Sequence, residues 1–120
     1  MSRQKGQAAS PKGKVLDRAH LGRYTMENPA LEREIIKLFV DQLPVTLRAL
    51  REARTKSEWK LAAHTLKGSA AAVGASHINA IASELEARPF GVETAGRRDL
   101  LGRLETAIEQ FRKAALPLLG

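Results

Sequence analysis

The chain has 120 residues, enough for one modest hydrophobic core and too few for two. Hydrophobic residues make up 43% but aromatics only 4%, which predicts a core of Leu, Ile, Val and Ala and favours helices packed on helices over a β-sandwich. The formal charge of +7 admits a nucleic-acid or anionic-membrane contact, and the lack of cysteine excludes disulfides, thiolate metal sites and cysteine nucleophiles.

Taken in chain order, the first segment holds most of that charge. Residues 1–23 contain Arg3, Lys5, Lys12, Lys14, Arg18 and Arg23 against Asp17 alone. Residues 1–14 combine this charge with glycine, serine and proline and few apolar groups, so they read as a basic, disordered, solubilising tail. Residues 15–120 are read as the folded domain. No apolar stretch of a signal peptide opens the chain, and no run approaches the roughly 20 residues of a membrane span. A soluble cytoplasmic protein without a membrane partner is expected.

Val15, Leu16, Ala19 and Leu21 predict a short first helix capping the domain. Asn28-Pro29 is a start signal, with Asn as N-cap and Pro at the first helical position. The helix that follows carries Leu31, Ile35, Leu38, Phe39 and Gln42, then Val45, Leu47 and Leu50, as its apolar series. Pro44 should kink it, since proline cannot donate to residue 40. Ser57 is the expected N-cap of a third helix, with Glu58 in its first turn and Gly74 ending it in a left-handed conformation. Ser76 is expected to cap a fourth helix, with Ile78, Ile81, Ala82 and Leu85 inward, stopped by Arg88-Pro89. Phe90 to Gly96 reads as a loop. A last helix from Thr94 or Ala95 places Leu100, Leu101, Leu104, Ile108 and Phe111 inward and ends near Pro117. The fold class is therefore all-α: an antiparallel, up-down four-helix bundle with a short additional N-terminal helix.

The third helix holds the chemistry. His64, Lys67 and Gly68 stand at i, i+3 and i+4 and share one face. Leu61, Leu66, Ala70 and Val73 supply apolar surface elsewhere around the cylinder, at about 100° per residue. Lys60 and Ala71 extend the histidine stripe by a turn each way. An imidazole, whose ordinary pKa lies near 6.5, is available as a neutral nucleophile near pH 7. Lys67 can attract an added anion as a point charge. Gly68 costs about 1 kcal/mol relative to alanine in a helix interior, a loss that asks for a reason; an open approach to His64 would supply one.

His64-Thr65-Leu66-Lys67-Gly68-Ser69-Ala70, followed by Gly74-Ala75 and by Leu85-Glu86, resembles the histidine-containing phosphotransfer (HPt) domain over roughly residues 15–116. The resemblance implies a bundle that carries a phosphoryl group between aspartates of receiver domains on one histidine, here His64. It implies that Lys67 stabilises the phosphoryl charge and that Gly68 clears space beside the ring. It makes Glu86 a candidate to orient the imidazole through its inner nitrogen. Lys60, Ala71 and Ala75 would border the docking surface. The partners implied are response-regulator receiver domains, with a hybrid histidine kinase as a further candidate. The receiver would bring Mg²⁺, and the chain itself would bind no cofactor. With no Gly-rich nucleotide motif and no room for an ATP-binding domain, a phosphocarrier without kinase activity is expected. A free-standing monomer is the corresponding expectation.

His20 and His77 lack lysine and glycine companions and read as structural, and the three histidines show no His-x-x-x-His zinc spacing. Trp59 reads as a core residue. Arg97, Arg98, Arg103, Arg112 and Lys113 read as the solvated face of the last helix. Residues 66–85 have the outline of a helix-turn-helix with Gly74 in the turn, but its second helix, residues 76–88, exposes Ser83, Glu84 and Glu86 where phosphate contacts require Lys or Arg, so nucleic-acid binding is disfavoured. A non-catalytic helical adaptor would present a similar stripe, and phosphorylation itself separates the two.

Overall fold

Side-chain caps at Asp17, Asn28 and Thr55 begin the first three helices of the computed structural model, which describes residues 15–90 and 95–119. The expected tail over residues 1–14 and most of the loop before Gly96 lie outside these residues. The helices are α1 (Arg18–Thr25), α2 (Pro29–Glu52), α3 (Lys56–Val73), α4 (Ser76–Ala87) and α5 (Ala95–Leu119), and no strand occurs among the described residues. α3 packs against α2 and α4, α5 packs against the same two helices, and α1 lies on α2 and α3.

One core joins them. Leu21 of α1, Ile36, Phe39, Leu43 and Leu50 of α2, Leu66 and Val73 of α3, Ile78, Ile81 and Leu85 of α4, and Leu104 and Phe111 of α5 are all buried. Phe39 and Phe111 meet edge to face at 5.1 Å, an arrangement that aligns the positive ring edge with the negative ring face.

Several expectations are corrected. α1 starts at Arg18, so Val15 and Leu16 precede it as partly buried chain packed on the core, and Ala19 is exposed. On α2, Leu31, Leu38 and Val45 face solvent, while Ile36 and Leu43 point inward. The apolar residues of α2 cover more than half its circumference, and the neighbours, not the period, select the buried arc. The expected single helix does run on through the exposed Pro44. The cap of α3 is Thr55, not Ser57: its hydroxyl accepts from the Glu58 backbone N–H at 3.1 Å. The Glu58 carboxylate in turn accepts from the Arg54 N–H at 2.7 Å, close to a capping box of the T-x-x-E type. Ser76 does not cap α4; the N-cap is Ala75, which offers no side-chain bond. α5 continues through Pro117 to Leu119. Two of its arginines are also not simply solvated: Arg103 forms a two-pronged pair with Glu84, at 3.2 and 3.1 Å, and Arg97 lies 4.7 Å over the Trp59 ring.

Gly74 joins these elements. It ends α3 with φ of +83°, and its carbonyl accepts from the Asp17 N–H at 2.7 Å. A Cβ there would stand 2.7 Å from the Asp17 carbonyl oxygen. Both the left-handed backbone and the close approach of the incoming chain require glycine.

Candidate functional site

α3 buries Trp59, Ala62, Ala63, Leu66, Ala70 and Val73, and this face fixes what the opposite face presents. His64 is turned outward with 72% of its side chain exposed. Gly68, one turn on, is also exposed, and a Cβ built on it would meet nothing within 4 Å. Ala71 continues the open edge.

Glu86 of α4 reaches this face from the side. Its Oε2 lies 3.0 Å from His64 Nδ1, and its Oε1 accepts from Lys67 Nζ at 3.3 Å. An ionised carboxylate only accepts, so Nδ1 must carry the proton of this bond. Nε2 then keeps the free lone pair in the neutral ring. The Glu86 side chain is only 26% exposed, and its carboxyl is held below the usual glutamate range. The hydrogen bond from His64 is the main cause, partial burial opposes it, and the Lys67 hydrogen bond and charge add to it.

A carboxylate with a lowered folded-state pKa contributes its stability above the ordinary glutamate pKa and loses it as pH falls through the lowered value. Glu86→Gln should therefore flatten the fall of Tm between about pH 5 and pH 3 relative to wild type. An unchanged slope in thermal melts across that window would show that the carboxylate is not held by these partners.

Backbone ties keep the carboxylate in reach. Lys60 Nζ donates to the Glu86 carbonyl at 3.2 Å, and Trp59 Nε1 donates to the Leu85 carbonyl at 2.8 Å. From the first turn of α4, Asn79 Nδ2 donates to the Lys67 carbonyl at 2.8 Å. The structure thus brings Lys60, His64, Lys67 and Glu86 together, with Gly68 and Ala71 on the same open side. Ala75 is not among them. It is fully buried, because the left-handed turn at Gly74 carries the chain off the stripe before Ala75 is reached. Leu61, expected on the apolar face, is 68% exposed. The polar roles of Trp59 and Asn79 had no signal in spacing along one helix, since both act across the α3–α4 contact.

Among the described residues, no group of three or more His, Cys, Asp and Glu side chains is placed to hold a metal ion. No helix of the described residues is long and apolar enough to cross a membrane. A family model for the Hpt domain matches residues 34–114, which takes in all of α3 and α4 and most of α2 and α5. The chain belongs to the HPt domain family. No curated protein and no solved structure matches it. HPt domains act in histidine phosphotransfer within phosphorelay signalling. They work with response-regulator receiver domains and are phosphocarriers without a kinase or ATP site of their own.

Proposed function

We propose that this HPt domain takes a phosphoryl group onto His64 from the aspartyl phosphate of one receiver domain and passes it to the aspartate of another. The observation that carries this reading is the His64–Glu86 contact of 3.0 Å, with Lys67 and the side-chain-free Gly68 one turn away. In the forward step the Nε2 lone pair attacks phosphorus, the Nε2–P bond forms, and the aspartyl O–P bond breaks to leave a carboxylate. Nδ1 keeps its proton throughout. The ring therefore gains positive charge, which the Glu86 carboxylate offsets at hydrogen-bond distance. Lys67, already on the same carboxylate, can turn its ammonium to the phosphoryl oxygens. Such a transition state asks mainly for positioning and charge neutralisation. The receiver supplies its aspartates and the Mg²⁺ that they hold.

Lys60 and Ala71 border the surface on which the receiver docks, and the lysines complement an acidic receiver pocket. We read the four longer helices as an antiparallel, up-down bundle and the protein as a cytoplasmic monomer. The outer side of α4 supports no nucleic-acid role, since it offers Glu86 and an Arg103-paired Glu84 to an incoming phosphate backbone.

The test is transfer from a panel of phosphorylated receiver domains. Acid-labile, alkali-stable label on the peptide containing His64 is the expected result. A folded protein that takes no label at His64 from any receiver would leave a helical adaptor as the better description.

A further inference from the structure

The C-terminus of α4 poses a problem that α3 solves. The last carbonyls of a helix have no partner within it. In α4, which ends at Ala87, two consecutive carbonyls of that turn are taken by two consecutive side chains of α3. Trp59 holds Leu85, and Lys60 holds Glu86. The two clamps differ in kind. The Lys60 contact is exposed, so water competes for it. Trp59 is 2% exposed, its ring lies beside Phe90 and under Arg97, and its N–H is the only donor of its side chain. The Leu85 carbonyl otherwise receives the Arg88 N–H at 3.2 Å, a longer bond than the 2.8 Å from the indole.

The clamp stands next to the carboxylate that meets His64. Leu85 directly precedes Glu86, and Trp59 lies five residues before His64 on the same helix. A rigid helix, a buried bond and one peptide unit therefore separate the indole N–H from the residue that selects the free ring nitrogen. We infer that Trp59 is a positioning residue for phosphotransfer: its indole N–H fixes the Leu85 carbonyl, and through it the place from which Glu86 holds His64 Nδ1. This rests on His64 as the phosphoryl acceptor. A core aromatic would fill the same space without the bond, so shape and donor can be separated.

Trp59 is the single tryptophan of the chain, so replacing tryptophan by 3-benzothienylalanine changes this site alone. The analogue keeps the ring shape and puts sulfur where the N–H was. Trp59→Phe is the genetic companion. Nitrogen-15 NMR reads the neutral His64 tautomer in each protein, and phosphoramidate, which transfers its phosphoryl group with release of ammonia, serves as the donor. Wild type is expected to show Nδ1–H. The analogue protein, folded by circular dichroism, is expected to shift toward Nε2–H and to label about fivefold more slowly, the factor that one buried hydrogen bond supplies. An unchanged tautomer would overturn the inference and leave Trp59 as core filling. A wild type that takes no label at His64 would instead count against the proposed function, and the tautomer would still decide the role of Trp59.

Discussion

His64→Gln is expected to abolish acid-labile labelling from every receiver that labels the wild type, while Tm moves by no more than about 3 °C. The two halves of this result have separate causes. Glutamine can still donate an amide hydrogen to Glu86, but an amide nitrogen has no free lone pair with which to attack phosphorus. The fold loses little, because the His64 side chain is 72% exposed and makes no part of the core. Glu86 keeps Lys67 at 3.3 Å and stays compensated. Exposed substitutions of this type usually remain within about 0.5 kcal/mol. Residual label at the wild-type level would move the acceptor to another residue and remove the basis of the proposal.

Gly68 gives the second large effect, and here stability and activity should move in opposite directions. An alanine Cβ would meet nothing within 4 Å and would remove the flexibility penalty of a helical glycine. Gly68→Ala should therefore gain up to about 1 kcal/mol, or roughly 4 °C in Tm. Gly68→Leu should also fold, since its side chain enters solvent. In the proposed complex, however, it would stand one turn from His64, where a receiver would bring its aspartate into line with Nε2. A displacement of about 1 Å at a reacting centre can cost about 100-fold, and that is the loss expected in transfer rate for the leucine variant. Stopped-flow transfer alongside thermal melts checks both halves. A leucine variant that transfers at the wild-type rate would show that the receiver does not approach across this edge.

What was legible in the sequence follows from how local each feature is. His64, Lys67 and Gly68 could be read together because a single helix relates them, and the helix repeat needs no knowledge of neighbours. The buried series Ile78, Ile81, Ala82 and Leu85 was legible for the same reason. Errors begin where a rule is carried past its domain. Placing Ala75 on the stripe extends the helix beyond Gly74, although a left-handed cap resets the direction of everything after it. Reading Ser57 as the cap of α3 passes over the T-x-x-E pattern that Thr55 makes with Glu58. Leu31, Leu38, Val45 and Leu61 are apolar yet exposed, which composition cannot foresee because only packing decides which side of a broad apolar arc is covered. Glu86 rests on the family resemblance together with its spacing from Gly74, since no helical periodicity links residues on two helices. The bonds from Trp59 and Asn79 depend on how α3 meets α4 and were not accessible at all.

His64 is also the ninth of the 18 residues of α3, midway between a side-chain cap at Thr55 and the left-handed stop at Gly74. Helices open from their ends, and fraying from either side must unwind about two turns before it reaches the ring. Among the amides of α3, those around His64 should be the last to exchange with solvent. On the proposed reading, His64 is the group that successive receivers would press against as they dock. That reading puts the carried group on the stretch of α3 expected to open last.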